Sequence, residues 1–156
     1  MMRIFGLGNG IRGDDGIGSR IIEILQSETF PVEVTLTDAG SDPFLLLEGL
    51  LSPEPVLVID CAKMGKKPGE VRKIKVINDF PDPDHNSISL HGMSLFEVWK
   101  MARSLGGMTN LTLIGVEPVQ VDFNTPISIE IENSIPTIIA MVMEEAKKYA
   151  EKSIDH

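Results

Sequence analysis

Cysteine and aromatic residues are scarce in this chain. Cys61 is the only cysteine among 156 residues, and one Trp, one Tyr and six Phe make up the whole aromatic content. A lone cysteine cannot close an internal disulfide and fits a reducing compartment. With so few aromatic residues, we expect a core built mainly from Ile, Val, Leu and Met. No apolar run in the sequence approaches the ~20 residues that a membrane-spanning helix needs.

Basic residues are also in the minority. The 14 Lys and Arg residues stand against 23 Asp and Glu residues, which gives a formal net charge of −9. Such a balance repels a phosphate backbone, so it disfavours nucleic-acid binding. The first residues lack the basic-then-apolar pattern of a secretory signal. Together these features predict a cytoplasmic protein without membrane association.

The apolar periodicity predicts strands and helices that alternate along almost the whole chain. The predicted strands are 2–7, 32–37, 56–59, 71–76 and 111–116, and the predicted helices are 17–27, 43–51, 95–105 and a last one ending near 152. The start of the last helix stays open, because 128–132 alternates like a strand and Pro136 would kink a helix. The composition of residues 78–90 predicts an irregular loop.

This alternation predicts one α/β domain over residues 1–156, with the last few residues disordered. The expected architecture is a three-layer α/β/α sandwich with a mostly parallel central sheet of about five strands. The Lys-rich strand 71–76 is the candidate for an antiparallel edge strand. In such sheets ligands bind beyond the carboxyl ends of the central strands.

A glycine-rich loop follows the first predicted strand. Residues 8–13 match the dinucleotide fingerprint G-x-G-x-x-G, and Asp38 could bind a ribose, so a nucleotide-binding module is one alternative. Against it, Asp14 and Asp15 fall where a helix N-terminus would receive a pyrophosphate, and two carboxylates there repel phosphates. Because adjacent side chains point apart, we expect only one of the two to face a site and the other to cap the helix.

Three side chains are expected at the same rim of the sheet. Asp15 follows the first strand, Asp60 ends the buried strand, and His91 precedes a helix. Two carboxylates and an imidazole can bind Zn, Ni, Fe or Co and leave positions open for substrate. Structural roles are the alternative, since Asp60 could cap backbone amides and His91 could cap the helix. Strand alternation turns Cys61 away from Asp60, so a buried apolar role is expected for it.

The same residues carry a resemblance to the hydrogenase maturation endopeptidases. Five segments are similar to that family's motifs in the right order: residues 6–18 (GLGNGIRGDDGIG), 38–41 (DAGS), 58–62 (VIDCA), 89–91 (SLH) and 114–118 (IGVEP). One departure is the stretch 120–124, where the family usually has a glycine. The departure leaves the shape of that loop open, and with it the choice of hydrogenase.

The resemblance implies an aspartyl-type endopeptidase that trims the C-terminal extension of a [NiFe]-hydrogenase large-subunit precursor. It puts the catalytic residues at Asp15, Asp38, Asp60 and His91, of which Asp15, Asp60 and His91 contact nickel already installed in the substrate. Asp38 matches a position linked to substrate recognition or cleavage. Nickel-insertion accessory proteins are implied as further partners. A protein that binds nickel and precursor without cutting remains the second alternative.

Overall fold

A computed structural model of the chain describes residues 1–77, 94–108 and 110–155. His91 and the predicted loop 78–90 lie outside these ranges. Within them, no helix is long and apolar enough to cross a membrane.

Five strands form one sheet in the order β2-β1-β3-β5-β4. The strands are β1 (Met2–Leu7), β2 (Val34–Gly40), β3 (Val56–Cys61), β4 (Val71–Val76) and β5 (Leu111–Val116). All neighbours pair in parallel except β4, which pairs antiparallel with β5 at the edge. The predicted mostly parallel sheet and its antiparallel edge strand are therefore confirmed. β2 begins and ends two to three residues later than its alternating pattern predicts.

The helices are α1 (Ile17–Leu25), α2 (Leu47–Leu51), α3 (Leu95–Ser104) and α4 (Ile129–Ile154). Ser94 and Glu97 form a capping box at the start of α3. The strand-like alternation at 128–132 is helical, and Pro136 lies inside α4. Helical spacing decides this, because the buried side chains Ile131, Ile138 and Val142 recur on one face.

The helices cover both faces of the sheet, as a three-layer sandwich requires. One apolar cluster joins α1 and α4 to residues such as Leu57 and Ile59, and the other contains residues of α2 and α3 together with Val56 and Val58. All six residues of β3 are buried, as its continuous apolar run predicts. Because side chains alternate along a strand, Asp60 belongs to the face of Val56 and Val58, on the side of α2 and α3.

The start of α1 packs directly on the carboxyl ends of β1 and β3. A Cβ at Gly18 would collide with the carbonyl oxygen of Leu7 and lie 2.9 Å from that of Ile59. Only glycine permits this approach of a helix to two strands. The loop between β1 and α1 is thereby held over the gap between these strands.

Candidate functional site

The strand order changes direction between β1 and β3. The chain passes from β1 outward to β2 and then crosses to β3 on the other side of β1. In open α/β sheets this switch point leaves a crevice at the carboxyl ends of the strands, and ligands bind there. Asp15 lies in a 3₁₀ turn after β1 (Gly13–Gly16), and Asp60 lies near the end of β3, so both border this crevice.

Asp60 is a buried carboxylate without full hydrogen bonding. Its side chain is 6% exposed, and its Oδ2 atom has no hydrogen-bond partner among the described residues. Burial raises the pKa of Asp60 well above its usual value, the negative charge of Asp15 raises it further, and a hydrogen bond from the Cys61 backbone opposes both. Buried charges in proteins are normally paired or bound to metal, so this site calls for a cation or a proton.

Asp15 is partly buried, and the glycine loop folds around it. Its Oδ2 accepts a hydrogen bond of 2.9 Å from the backbone N–H of Asn9. Gly8 has a φ of 122°, and a Cβ there would collide with the backbone oxygen of Asp15. A dinucleotide loop offers its amides to phosphate. In this loop the carboxylate of Asp15 accepts the backbone N–H of Asn9 instead.

Asp14 has a different role from the one the sequence suggests. It is fully buried, and neither Asp14 nor Asp15 caps α1, whose N-cap position has no side-chain hydrogen bond. Asp14 Oδ2 accepts hydrogen bonds from Val119 N–H (2.8 Å), Gln120 N–H (2.9 Å) and Ser128 Oγ (2.8 Å), and Oδ1 accepts one from Ser128 N–H (2.7 Å). The helix-cap prediction was wrong, because a buried carboxylate finds stronger partners in the loop after β5.

The loop after β5 (117–128) is therefore fastened to the glycine loop. The N–H of Asp14 donates to the carbonyl oxygen of Gln120, and the N–H of Asn124 donates to that of Ile11. Asn124 has a φ of 59°, a left-handed conformation that asparagine adopts more readily than most residues. Residues 120–124, where the family usually has a glycine, therefore still reach a left-handed conformation through Asn124.

Glu117 is a structural residue that stands out in the sequence only as part of the segment 114–118. It is 6% exposed, and its carboxylate accepts hydrogen bonds from Met64 N–H (2.9 Å) and Lys66 N–H (2.6 Å). Its backbone also bonds to Gly69 and Glu70. An acidic residue directly after the apolar strand β5 was the available signal. Glu117 fixes the loop that leaves β3, and so supports the rim beside Asp60.

Asp38 lies on β2, which flanks β1 on the side away from β3. It is exposed, and its Oδ1 accepts hydrogen bonds from Ser19 Oγ (2.8 Å) and Gly40 N–H (3.0 Å). Asp38 and Ile59 align with the same residue of β1, Gly6. With two strand spacings between them, Asp38 lies about 10 Å from the β3 backbone at that level. Asp38 therefore borders the site without joining the Asp15–Asp60 pair.

The described ranges hold only part of the predicted metal set. They bring Asp15 and Asp60 together at the crevice but contain no group of three metal-binding side chains. His91 belongs to the undescribed segment 78–93. Cys61 is buried in the apolar cluster of α1 and α4, as predicted. Burial is the main cause that raises the pKa of its thiol, and the negative charge of nearby carboxylates raises this pKa further.

Comparison with known proteins gives one consistent result. The family model of the hydrogenase maturation proteases matches residues 19–145. HupD of Thiocapsa roseopersicina, a hydrogenase expression/formation protein, is 29% identical over 144 residues, which are 90% of this chain and 65% of HupD. This chain thus spans just under two thirds of that relative.

Solved structures agree. The hydrogenase-maturating endopeptidase HybD from E. coli superposes with a TM-score of 0.80 at 25% identity, over 96% of this chain and 94% of HybD. The maturation protease HycI from Thermococcus kodakarensis gives 0.74 at 23% identity, over 94% and 92%, and supports the fold alone. The match of the family model to most of the sequence is decisive: the chain belongs to the hydrogenase maturation protease family, whose members are peptidases.

Proposed function

We propose that this protein is an endopeptidase that removes the C-terminal extension of a nickel-loaded [NiFe]-hydrogenase large-subunit precursor. In this proposal Asp15, Asp60 and His91 recognise the nickel that the substrate brings. Family membership supports the peptidase activity and the class of substrate. The observation that carries the nickel assignment is the buried Oδ2 of Asp60, which lacks a partner among the described residues and lies under the influence of a second carboxylate.

The donor set fits a nickel ion that is partly coordinated by the substrate. Carboxylate oxygen and imidazole nitrogen are accepted by Ni and by its neighbours in the transition series. A cation at the crevice would offset the repulsion between Asp15 and Asp60, which burial makes costly. The nickel ion of the loaded precursor would be attracted to these two carboxylates, whereas the nickel-free precursor offers them no cation. Selectivity for the loaded precursor follows from that difference.

The direction of α3 supports His91 as the third ligand. Val56 at the start of β3 donates a backbone hydrogen bond to Asn110, so the chain just before β5 lies at the amino end of the sheet. Helix α3 precedes this segment and packs on the face to which Asp60 belongs. Because α3 ends near the amino end of the sheet, its first residue, Leu95, lies towards the carboxyl rim. His91 precedes Leu95 by four residues, which an extended chain spans in at most about 14 Å.

Cleavage needs a water molecule activated near the docked precursor. Nickel in the bound precursor could polarise the scissile carbonyl. Asp38 is the candidate general base of this chain, because it is exposed at the rim and Ser19 and Gly40 hold its Oδ1 in place. In that role Asp38 takes a proton from the attacking water and returns it to the leaving nitrogen as the peptide bond breaks, while Asp15 and Asp60 hold the substrate. The sequence offers no H-E-x-x-H motif for a resident zinc site.

The test is mass spectrometry of the precursor's C-terminus after incubation with the purified protein. We expect shortening of the nickel-loaded precursor and none of the nickel-free form. His91→Ala and Asp60→Asn should abolish shortening, and Lys147→Gln, on the exposed surface of α4, serves as the control. Efficient processing by His91→Ala would refute the ligand assignment. Binding of the precursor without any shortening would favour the nickel-binding chaperone instead.

The nucleotide-binding alternative is tested separately. Titration with NAD and NADP should show no binding at micromolar concentrations, since Asp15 takes the amide of Asn9 within the glycine loop. Micromolar affinity would require that Asp15 release this amide, and would overturn the proposed use of the loop.

A further inference from the structure

The loop that follows β3 concentrates positive charge. Lys63, Lys66 and Lys67 lie within five residues, in a chain whose net charge is −9. All three are exposed. The ion pairs found in the described part of the chain use other basic residues, so none of these three lysines takes part in a salt bridge there. Water alone stabilises a single surface lysine, but three lysines close together repel one another. An acidic group from outside the chain would reduce that repulsion.

The backbone of this loop is fixed. The buried carboxylate of Glu117 accepts the N–H groups of Met64 and Lys66, and Ala62 N–H donates to the carbonyl oxygen of Val116. A fixed loop presents its side chains at the lowest entropic cost to a partner. The loop is therefore suited to recognition.

A groove of about 490 Å³ lies between this loop and the loop after β5. We call it the lysine groove: Lys63 and Lys66 line one bank, and Pro118, Val119, Val121 and Asp122 line the other. Glu117 also lines it, but its buried carboxylate already accepts the N–H groups of Met64 and Lys66. Val119 is 47% exposed, so the second bank offers apolar surface. Asp14 holds that bank in place through the N–H groups of Val119 and Gln120. A groove of this size accommodates a short stretch of extended peptide.

We propose that the lysine groove binds an acidic, extended segment of the precursor protein during processing. This inference rests on the proposed function. Charge complementarity sets the sign of the partner, since the chain as a whole is acidic and repels acidic surfaces, whereas Lys63 and Lys66 place positive charge along this bank. Lys63 is three residues after Asp60, within about 11 Å along the chain. A substrate docked at the crevice can reach the groove with the residues next to its cleavage site.

The test is steady-state processing of the nickel-loaded precursor by the full-length protein, with KM and kcat measured separately. Lys63→Glu/Lys66→Glu reverses the charge of one bank. The matched control, Lys147→Glu/Lys152→Glu, changes the net charge equally on exposed positions towards the far end of α4. Circular dichroism and thermal melting establish that each variant is folded. Lys63→Gln/Lys66→Gln provides a second, milder variant.

We expect the charge-reversed groove variant to raise KM about 5- to 30-fold at low salt, with kcat changed less than twofold. The neutral variant should raise KM by a smaller factor. Both effects should shrink to about twofold or less in 0.5 M salt, because the charges are exposed and screened. Asp122→Asn should act in the opposite direction and lower KM about twofold, since it removes the acidic side chain of the other bank.

An equal rise of KM in the groove variant and the α4 control would overturn the proposal in favour of net charge. An unchanged KM in the groove variants, or an effect that salt does not reduce, would also overturn it. Direct binding of the precursor to immobilised protein separates the two proposals. If the wild type binds without cleaving, the peptidase function fails and the dissociation constants of the variants still decide the groove. If the wild type does not bind, both proposals fail.

Discussion

The adjacent aspartates of the glycine loop should have separable effects on stability and on function. Asp14 is fully buried and accepts four hydrogen bonds, three of them from backbone N–H groups. Asp15 is partly buried, and its carboxylate accepts the hydrogen bond from Asn9 N–H. The perturbation that tests this division is Asp14→Asn, with Asp15→Asn as its matched control.

The magnitude follows from what an amide can accept in place of the Asp14 carboxylate. The single oxygen of the substituted side chain can serve two donors, and the Ser128 hydroxyl can turn to accept from the new amide group. The remaining backbone N–H then lacks an acceptor, at a cost of about 1–3 kcal/mol. Loss of the negative charge weakens the two retained bonds by about 1 kcal/mol each. We expect Asp14→Asn to lower the free energy of unfolding by about 3–5 kcal/mol.

Urea unfolding and thermal melting measure this effect. A domain of this size loses roughly 2–4 °C of Tm per kcal/mol, so Asp14→Asn should melt about 6–20 °C below the wild type. Asp15→Asn should stay within about 1 kcal/mol of the wild type, because its oxygen can keep the Asn9 bond. It should nevertheless lose processing of the precursor. Equal stability of the two variants, or a larger loss for Asp15→Asn, would refute the division of roles.

Three further predictions concern stability alone. Burial opposes ionisation of Glu145, but hydrogen bonds from Lys73 and Lys75 outweigh it and lower its pKa. Its stabilisation is present above the ordinary value of 4.5 and is lost as pH falls through the folded-state pKa, so Glu145→Gln should be destabilised by about 1–2 kcal/mol at pH 7 and approach the wild type in acid. Asp60 behaves in the opposite way, because its raised pKa means that ionisation of this carboxyl destabilises the folded state. Metal-free Asp60→Asn should therefore be more stable than the wild type at neutral pH, and the difference in urea unfolding should widen as pH rises. Gly18→Ala should cost about 2–3 kcal/mol because its Cβ meets the backbones of β1 and β3, whereas Gly10→Ala, whose Cβ would have no described atom within 4 Å, should melt near the wild type; equal melting would contradict the close approach.

The architecture was largely predictable because it depends on local patterns. The continuous apolar run of β3 predicts a strand covered on both faces, and all of its residues are buried. The capping box of Ser94 and Glu97 marks the start of α3. The segment 128–132 was ambiguous, because a short alternating stretch suits both a strand and one face of a helix. Only Ile131 of this segment is buried, in the apolar cluster of α1 and α4, and that contact joins residues distant in the sequence.

The site was predictable to the extent that topology fixes it. The carboxyl ends of parallel strands meet at one rim, so the positions of Asp15 and Asp60 after β1 and β3 could be placed beside each other from the sequence. The role of Asp14 could not be placed. Its partners lie more than 100 residues away in the sequence, and nothing local distinguishes it from a helix cap.

The sequence by itself determined the periodicity of the elements, the acidic balance and the motifs that carry the family resemblance, because these are properties of neighbouring residues. Only the tertiary structure decided which aspartate is buried, which amide each carboxylate accepts, and that two distant loops face each other across the lysine groove. Burial and long-range hydrogen bonding arise when the chain closes on itself. Burial and the charge of Asp15 raise the pKa of Asp60, a residue on which the proposed recognition of nickel depends.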